Sequence, residues 1–385
     1  MIGMTMLLGV AAAPAAAAAG PATPPQSPSA TTPLTATQST CVSNLNKELN
    51  TRERIGQLIW MGMYADNPRA ADSYVTTYDL GGVVLLGGFR GGVSATKAIT
   101  AHTAALADPR VRLAIAADQE GGYVQQLQGT GFSSMPTAYY QGTSWSPSTI
   151  TRMSTMWAGQ VRSAGVNVNL APVADTVAKD FMPSNGPIGH YLRNYDYVAD
   201  RVAVDVSAAV AGMHAGGIAT TIKHFPGLGR VTNNTDTSAT GITDPATSAT
   251  SAYLHPFSAG IAAGTDFVMV SNAFYTKIDP SQQAVFSSAV IGGLLRGQLG
   301  YRGVVITDDV GNAVAVQSVP VGSRATRFIN AGGDIVLTAS SSSVPTMMNA
   351  IKAARAASSS FKAKLDAAVL RVLTLKTARG LTSCS

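Results

Sequence analysis

Eight short hydrophobic runs constrain the fold of this chain more than any other feature. The runs are nearly continuous in apolar residues, as expected of strands buried on both faces, and segments with helical patterns lie between them. Eight strands joined by crossovers favour a (β/α)8 TIM-type barrel over an open doubly wound sheet. The sequence therefore predicts an α/β fold with one barrel domain. The runs occupy residues 57–63, 81–87, 113–122, 166–175, 218–227, 266–273, 303–309 and 333–339.

The composition agrees with one large core. The chain has 385 residues, of which 46% are hydrophobic and 12% are charged, so disorder over the whole chain is not expected. The formal net charge is +6, but the basic residues are scattered. Such a pattern predicts a weak attraction to anionic surfaces and does not indicate a nucleic-acid interface. Residues 358–380 are typical of a terminal helix, so we expect no second domain after the eighth run.

The first 40 residues contain no Asp, Glu, Lys or Arg. Residues 1–19 have the apolar core and small residues of a secretory signal peptide without its basic start, and a low-complexity tail is the alternative. Residues 20–40 resemble a linker rich in Pro, Ser and Thr, which leaves residues 41–385 for the barrel. Pro14 and the many alanines make a stable membrane span unfavourable. We expect the protein to be secreted or associated with the cell wall.

Cys41 and Cys384 lie at the two ends of the predicted barrel. In an exported protein an even number of cysteines favours a disulfide, and two free thiols are the alternative. Such a bridge restricts the unfolded chain by on the order of 4–5 kcal/mol in the chain-entropy description. The sequence has no CxxC motif and no cluster of His and Cys, so we expect no metal and no cofactor.

Polar side chains collect at the ends of the eight runs. In a barrel of this type the chemistry lies at the carboxyl ends of the strands. Two carboxylates are the minimum equipment for hydrolysing a glycosidic bond. An Asp in this position also commonly caps the next helix, so one of two adjacent aspartates can face the pocket while the other caps. The polar strand ends are Asp118, Glu120, Asp175, Lys223, His224, Asn272, Asp308 and Asp309.

Lys223 and His224 close the fifth run just before a Pro-Gly turn. A Lys there can donate hydrogen bonds to hydroxyl groups and keep nearby carboxylates ionised. A single His is more often a core residue, but beside Lys223 we interpret His224 as a ligand contact. Asp118, in "DQEGG", is a candidate for binding hydroxyls, and a simple turn is the alternative.

Five segments together resemble the N-terminal barrel of glycoside hydrolase family 3, in the family's order, over roughly residues 50–375. The chain is most similar to the single-barrel β-N-acetylhexosaminidase branch, which acts on cell-wall fragments. The resemblance implies a retaining double displacement through a glycosyl-enzyme on Asp308, with sugar ligands at Asp118, Lys223 and His224. It also implies that the barrel itself supplies the acid/base. The segments are "AADQEGGYVQQL", "VNLAPVAD", "IKHFPGLG", "DPSQQAVFSSAVIGGLLRGQLGYRGVVITDD" and "AGGDIVL".

The chain departs from that branch in the loop after the fifth run. The branch has a "KHFPGHG" turn and, eleven residues after the Lys, an Asp-Ser-His triplet whose His is the acid/base. Here Leu228 replaces the second His of the turn, and Asn234, Thr235 and Asp236 occupy the triplet. We interpret Asp236 as the acid/base, because most glycosidases use a carboxyl group for this task. The role requires a raised pKa, from partial burial or from the charge of Asp308.

Two further departures concern specificity. Tyr123 replaces the Arg of the "DQEGGRV" motif. Arg193 matches the sugar-binding Arg of an "IG-x-R-S-F" segment only with a two-residue insertion, and His190 or Tyr191 is the alternative. The expected substrate is a β-N-acetylglucosaminide, with other β-glycosides as the alternative. Three nearby aromatic residues are candidates for stacking on sugar faces, and core packing is the simpler role for each: Tyr139, Tyr140 and Trp145.

We therefore predict an exported retaining β-glycosidase with Asp308 as nucleophile and Asp236 as acid/base. One alternative is a glycan-binding protein without catalytic activity on the same barrel. Another is an enzyme that transfers the sugar to a second sugar or to phosphate. The expected partner is a carbohydrate, with no nucleic acid and no stable membrane span, and the protein is expected to be a monomer.

Overall fold

Eight parallel strands form the centre of the computed structural model, which describes residues 33–385. The strands pair in chain order, and β8 also pairs with β1. Between β7 and β8, Ile306 and Ile335 form a bridge, so the sheet closes on itself. The predicted (β/α)8 barrel is confirmed. Its strands are β1 (Ile59–Tyr64), β2 (Gly82–Leu86), β3 (Ala114–Ala117), β4 (Val168–Asn169), β5 (Ala219–Phe225), β6 (Phe267–Val270), β7 (Val304–Thr307) and β8 (Val336–Thr338).

Helices surround the barrel and connect its strands. Between β6 and β7 the crossover is a π-helical segment, Ala289–Gln298. The other helices are α1 (Ala36–Glu48), α2 (Thr51–Gly56), α3 (Asp72–Tyr78), α4 (Gly92–Ala105), α5 (Ala138–Ser144), α6 (Pro147–Ser163), α7 (Ala199–Ala215), α8 (His255–Ala262), α9 (Val321–Ala331), α10 (Ser343–Ala357) and α11 (Ser359–Ala378).

Local signals in the sequence set where several helices begin and end. Before α6, the Ser146 hydroxyl accepts a hydrogen bond from the Thr149 backbone, and Pro147 takes the first helical position. After α9, Gly332 adopts a left-handed φ of 105°, which ends the helix and turns the chain into β8. Because all eight strands are parallel, their carboxyl ends lie at one face of the barrel.

Two runs extend past their barrel strands. The run at 113–122 contains β3, and the run at 166–175 contains only the two-residue β4. Beyond β3 the Asn169 side chain replaces the strand partner, accepting from the Gln119 backbone N–H at 3.0 Å and donating to its carbonyl at 3.1 Å. Both segments lie at the mouth of the barrel, where the polar strand ends are found.

Two small sheets lie outside the barrel. One is a hairpin of Gln119–Gly121 and Val124–Gln125, with Tyr123 in its turn. The other joins Thr243–Asp244, Phe274–Tyr275 and Asp279–Gln283.

The two ends of the barrel domain are joined covalently. Cys41 in α1 and Cys384 after α11 form a disulfide with their Cα atoms 5.7 Å apart, so the predicted bridge is confirmed. The predicted linker boundary at residue 40 is wrong, because α1 already begins at Ala36. A capping box starts this helix: the Thr35 hydroxyl accepts from the Gln38 N–H, and the Gln38 side chain accepts from the Thr35 N–H.

The predicted signal peptide, residues 1–19, and linker residues 20–32 lie outside the described part of the chain. Within residues 33–385, none of the helices combines the length and the apolar character needed to cross a bilayer.

Candidate active site

A cavity of about 440 Å³ opens at the carboxyl ends of the barrel strands. The wall is contributed by segments from across the chain, including the ends of β3, β5 and β7 and the loops after β4 and β5. The residues that the sequence singles out therefore meet in one place. All six predicted catalytic and sugar-binding residues line this cavity: Asp118, Arg193, Lys223, His224, Asp236 and Asp308.

Two cations at the cavity floor share one buried carboxylate, Glu120. The Lys223 Nζ lies 2.6 Å from Glu120 Oε1 and 2.5 Å from Asp118 Oδ1. The Arg193 guanidinium binds both oxygens of Glu120, at 2.8 and 2.9 Å. Arg193 thus reaches the site despite the insertion in its segment. The sequence marks Glu120 only as a polar strand end, and its position near Asp118 in "DQEGG" is the signal for its role.

The charges in this cluster hold one another ionised. Burial alone would raise the pKa of Glu120, but Arg193 and Lys223 overcome it and hold this pKa at about 2. Burial alone would lower the pKa of Lys223, but the charges of Asp118 and Glu120 raise it above its ordinary value. The floor therefore presents charged groups, whose hydrogen bonds to sugar hydroxyls are stronger than those of neutral groups.

His224 is held by a second buried carboxylate, Asp175. The His224 ring Nδ1 lies 2.7 Å from Asp175 Oδ2, and its backbone N–H lies 3.2 Å from Asp175 Oδ1. The Leu228 backbone N–H also donates to Asp175 Oδ1, at 2.8 Å. Because a carboxylate only accepts, Nδ1 carries a hydrogen, and Nε2 is left for a ligand. Asp175 is a positioning residue that the sequence marks only as a strand end.

The adjacent aspartates after β7 have different surroundings. Asp309 accepts from the backbone N–H groups of Gly311, Asn312 and Ala339, at 2.7, 3.0 and 2.9 Å. It thereby ties the turn after β7 to the end of β8. The predicted helix cap is wrong, because the next helical turn begins at Val314 and α9 at Val321, and neither has a side-chain cap. Asp308 accepts one hydrogen bond, from the Asp309 backbone at 2.8 Å, and its half-buried side chain lines the cavity.

Asp236 reaches the cavity because its loop is anchored to the segment after Asp308. The Val314 N–H donates to the Asp236 carbonyl, and the Ala315 N–H donates to the Thr235 carbonyl, each at 3.0 Å. The Asp236 residue is exposed to the cavity, yet many protein atoms surround its carboxyl group. Desolvation and then the negative charge of Asp308 raise the pKa of Asp236 to about 6. This value is suited to a group that gives and takes a proton.

The remaining candidates are divided between the cavity and the core. Tyr191 and Tyr123 line the cavity, whereas His190 packs edge-on against Tyr191 at 4.8 Å between ring centroids. Tyr139 and Trp145 are partly buried against the core, and the exposed Tyr140 lies edge-on to Trp145. Within residues 33–385, no group of three or more His, Cys, Asp and Glu side chains is arranged to hold a metal ion.

A family model described as the glycosyl hydrolase family 3 N terminal domain matches residues 50–375. The chain belongs to glycosyl hydrolase family 3. The match extends from α2 into α11, so it includes every strand of the barrel and every residue that lines the cavity. The family resemblance that we inferred from five segments is confirmed, and the protein is a glycoside hydrolase.

Known proteins of this family are similar over most of the chain. A β-hexosaminidase of Stenotrophomonas maltophilia (strain K279a) is 35% identical over 280 residues, which cover 70% of this chain and 79% of that protein. The crystal structure of a β-N-acetylhexosaminidase from Beutenbergia cavernae is 43% identical, with a TM-score of 0.82, and the match covers 86% of this chain and 99% of that one. A family 3 β-N-acetylglucosaminidase from a Paenibacillus species is 29% identical, with a TM-score of 0.76, over 86% of this chain and 63% of that one.

Proposed function

We propose that this family 3 enzyme is a retaining β-N-acetylhexosaminidase that releases terminal β-linked N-acetylglucosamine. One observation carries the mechanism: Asp308 and Asp236 line the same cavity, and the pKa of Asp236 is raised to about 6. Retaining glycosidases need such a pair, one carboxylate as nucleophile and one carboxyl group as acid. The name of the similar protein from Beutenbergia supports an N-acetylhexosamine, and the name of the one from Paenibacillus supports N-acetylglucosamine.

In the first step, the Asp308 carboxylate attacks the anomeric carbon and forms an ester bond to it. The glycosidic C–O bond breaks with its electron pair on the leaving oxygen. Protonated Asp236 donates its proton to that oxygen, so the leaving group departs as a neutral alcohol.

In the second step, Asp236 is a carboxylate and accepts a proton from water while that water attacks the anomeric carbon. The ester bond to Asp308 breaks, and both side chains return to their starting forms. Asp308 is neutral while it is esterified, so its repulsion of Asp236 is absent and the pKa of Asp236 falls. The same carboxyl group is thus an acid in the first step and a base in the second.

The cations and carboxylates of the cavity floor hold the sugar. We assign hydroxyl contacts to Asp118, Lys223 and Arg193, and a further contact to the free Nε2 of His224. Glu120 and Asp175 keep these groups in place through the short contacts to Lys223, Arg193 and His224. A fixed set of charged partners favours one orientation of the ring, with its anomeric carbon at Asp308.

A trapped intermediate tests this mechanism. Incubation with a 5-fluoro-N-acetylglucosaminyl fluoride should add the mass of one fluorosugar, and peptide mapping should place it on Asp308. Asp308→Asn should form no adduct and should lose at least about a thousandfold in kcat. If wild type releases no leaving group from a broad panel of aryl β-glycosides yet binds oligosaccharides saturably, the protein only binds glycans. A sugar phosphate formed when phosphate is added would identify it as a phosphorylase.

We also propose that the protein acts outside the cytoplasm. The signal-like residues 1–19 and the Cys41–Cys384 disulfide support this location, because disulfides persist in oxidising compartments. Fractionation of producing cells should place the protein in the medium or the wall. N-terminal sequencing of the secreted form should show cleavage near residue 19, and retention of the full-length chain in the cytoplasm would contradict the proposal.

A further inference from the structure

Two exposed tyrosines stand at the mouth of the cavity. Tyr123 is 73% exposed and Tyr191 is 39% exposed, and both line the cavity. Their rings meet edge to face with centroids 5.8 Å apart. A pair of exposed aromatic rings in contact at the rim of a binding cavity is positioned to contact a ligand.

Two tight backbone turns position Tyr123 and Tyr191 at the rim of the cavity. Tyr123 sits in the turn of the small hairpin, directly after Gly121 and Gly122, which have positive φ values of 104° and 57°. A Cβ atom on Gly121 would lie 2.3 Å from the Pro136 carbonyl oxygen, so the turn is packed closely against the start of α5. Opposite it, Leu192 has a left-handed φ of 55° between Tyr191 and Arg193. That turn directs Arg193 to the cavity floor and leaves Tyr191 at the rim.

The charges that line the cavity restrict what can sit between these rings and the catalytic pair. Its acidic side chains are Asp118, Asp236, Asp308 and Asp309, of which Asp236 is protonated in the reactive form. Its Lys and Arg side chains, Lys223 and Arg193, are already paired with Asp118 and Glu120. A leaving group that carries a carboxylate would meet like charges and would find no unpaired Lys or Arg in the lining. An uncharged ring can lay its C–H face on the tyrosines without this cost.

We propose that Tyr123 and Tyr191 form the platform for the leaving group, and that this group is an uncharged pyranose such as N-acetylglucosamine. N-acetylmuramic acid, whose lactyl group is a carboxylate, is disfavoured. The inference rests on the proposed glycosidase function and narrows its substrates from any glycan with a terminal β-linked N-acetylglucosamine to neutral chains of β-linked N-acetylglucosamine.

Three substrates with the same terminal sugar distinguish a loss of leaving-group binding at the tyrosines from a loss of catalysis. N-acetylglucosaminyl fluoride has no ring in its leaving group, N,N′-diacetylchitobiose has a neutral one, and N-acetylglucosaminyl-β-1,4-N-acetylmuramic acid has an anionic one. Changing both Tyr123 and Tyr191 to Ala should lower kcat/KM for chitobiose by at least about tenfold and change the fluoride rate by less than about twofold. Tyr123→Phe and Tyr191→Phe should stay within about threefold of wild type, because the ring face is retained. Tyr140→Ala, at an exposed tyrosine outside the cavity lining, is the matched control.

The outcomes that would overturn the inference are distinct from those that concern the reaction. The platform would be refuted if the double alanine variant lost kcat/KM equally on the fluoride and on chitobiose, or lost none on chitobiose. A wild-type kcat/KM for the anionic disaccharide that equals or exceeds that for chitobiose would refute the preference for neutral leaving groups. If wild type cleaves none of the three substrates, the glycosidase function itself fails.

Discussion

Asp236 and Asp308 share one cavity, and burial together with the negative charge of Asp308 raises the pKa of Asp236 to about 6. The loop that carries Asp236 is anchored to the segment that follows Asp308, so the two carboxyl groups belong to one connected part of the structure. Their coupling has consequences for pH dependence that can be measured.

The rate of the first step should depend on the protonation of Asp236. We expect kcat/KM for chitobiose to fall as pH rises through about 6, because only the protonated form donates. Asp236→Asn should abolish this limb of the pH profile and lower the rate by about 100–10,000-fold. For an aryl substrate whose leaving group needs no proton, the rate of the first step in Asp236→Asn should fall much less. Azide should then restore turnover of the glycosyl-enzyme that this variant accumulates.

The electrostatic coupling can be tested without turnover. Asp308→Asn removes a negative charge next to Asp236, so the pKa of Asp236 should fall below its wild-type value. Carbon NMR of the labelled carboxyl groups follows this titration directly. An Asp236 pKa that does not change in Asp308→Asn would mean that burial alone raises it.

Glu120 should contribute to both stability and substrate binding. Its folded pKa of about 2 is below its ordinary value, so its contribution to folding is complete above about pH 4.5 and is lost as pH falls toward 2. At pH 7, Glu120→Gln should lower the free energy of unfolding by about 2–4 kcal/mol and raise KM, because Arg193 and Lys223 lose a charged partner. Urea unfolding at pH 7 and pH 3 should show the difference from wild type shrinking at the lower pH.

Glu48→Gln is the matched control for that experiment. Glu48 is exposed in the last turn of α1, so its substitution should change stability by less than about 0.5 kcal/mol. A loss as large as that of Glu120→Gln would show that the effect does not come from the buried cluster.

The disulfide should stabilise the barrel without affecting its chemistry. It closes a loop with a sequence separation of 343 residues, so Cys41→Ala with Cys384→Ala should lower the free energy of unfolding by about 2–5 kcal/mol. Neither cysteine lines the cavity, so kcat/KM at 25 °C should be unchanged. Thermal unfolding of oxidised and reduced wild type should reproduce the shift, and a loss of activity in the folded variant would contradict this separation.

Lys376 should matter for stability at the end of the barrel that carries no site. Its buried Nζ donates to the Gln57 side chain and to the Gly81 and Arg112 carbonyls, at 2.6, 2.7 and 2.9 Å. Lys376→Met would leave these acceptors without their donor and should lower the free energy of unfolding by about 2–4 kcal/mol. Lys362→Met, at an exposed surface ion pair on the same helix, should cost less than about 1 kcal/mol in the same urea titration. Equal effects would argue against the buried hydrogen bonds.

The architecture was accessible from local sequence because a strand buried on both faces must be apolar along its whole length. Eight such runs, each with polar residues or turns at its end, predicted the barrel and the face that holds the site. The strand ends were less predictable. After β3 the backbone of Gln119 pairs with the Asn169 side chain instead of a neighbouring barrel strand, and Asn169 is distant along the chain.

Some residues of the candidate site were likewise predictable from the sequence, and others were not. Asp308, Lys223 and His224 could be identified because each ends a strand, and all strand ends meet at one face of a barrel. The partners of these residues, Glu120 and Asp175, could not be identified from the sequence, because they act through contacts with residues distant along the chain. The position of Asp236 depends on hydrogen bonds from Val314 and Ala315, in a loop without hydrophobic periodicity. Its pKa is a property of the assembled cavity, since desolvation and the field of Asp308 exist only when the chain is folded.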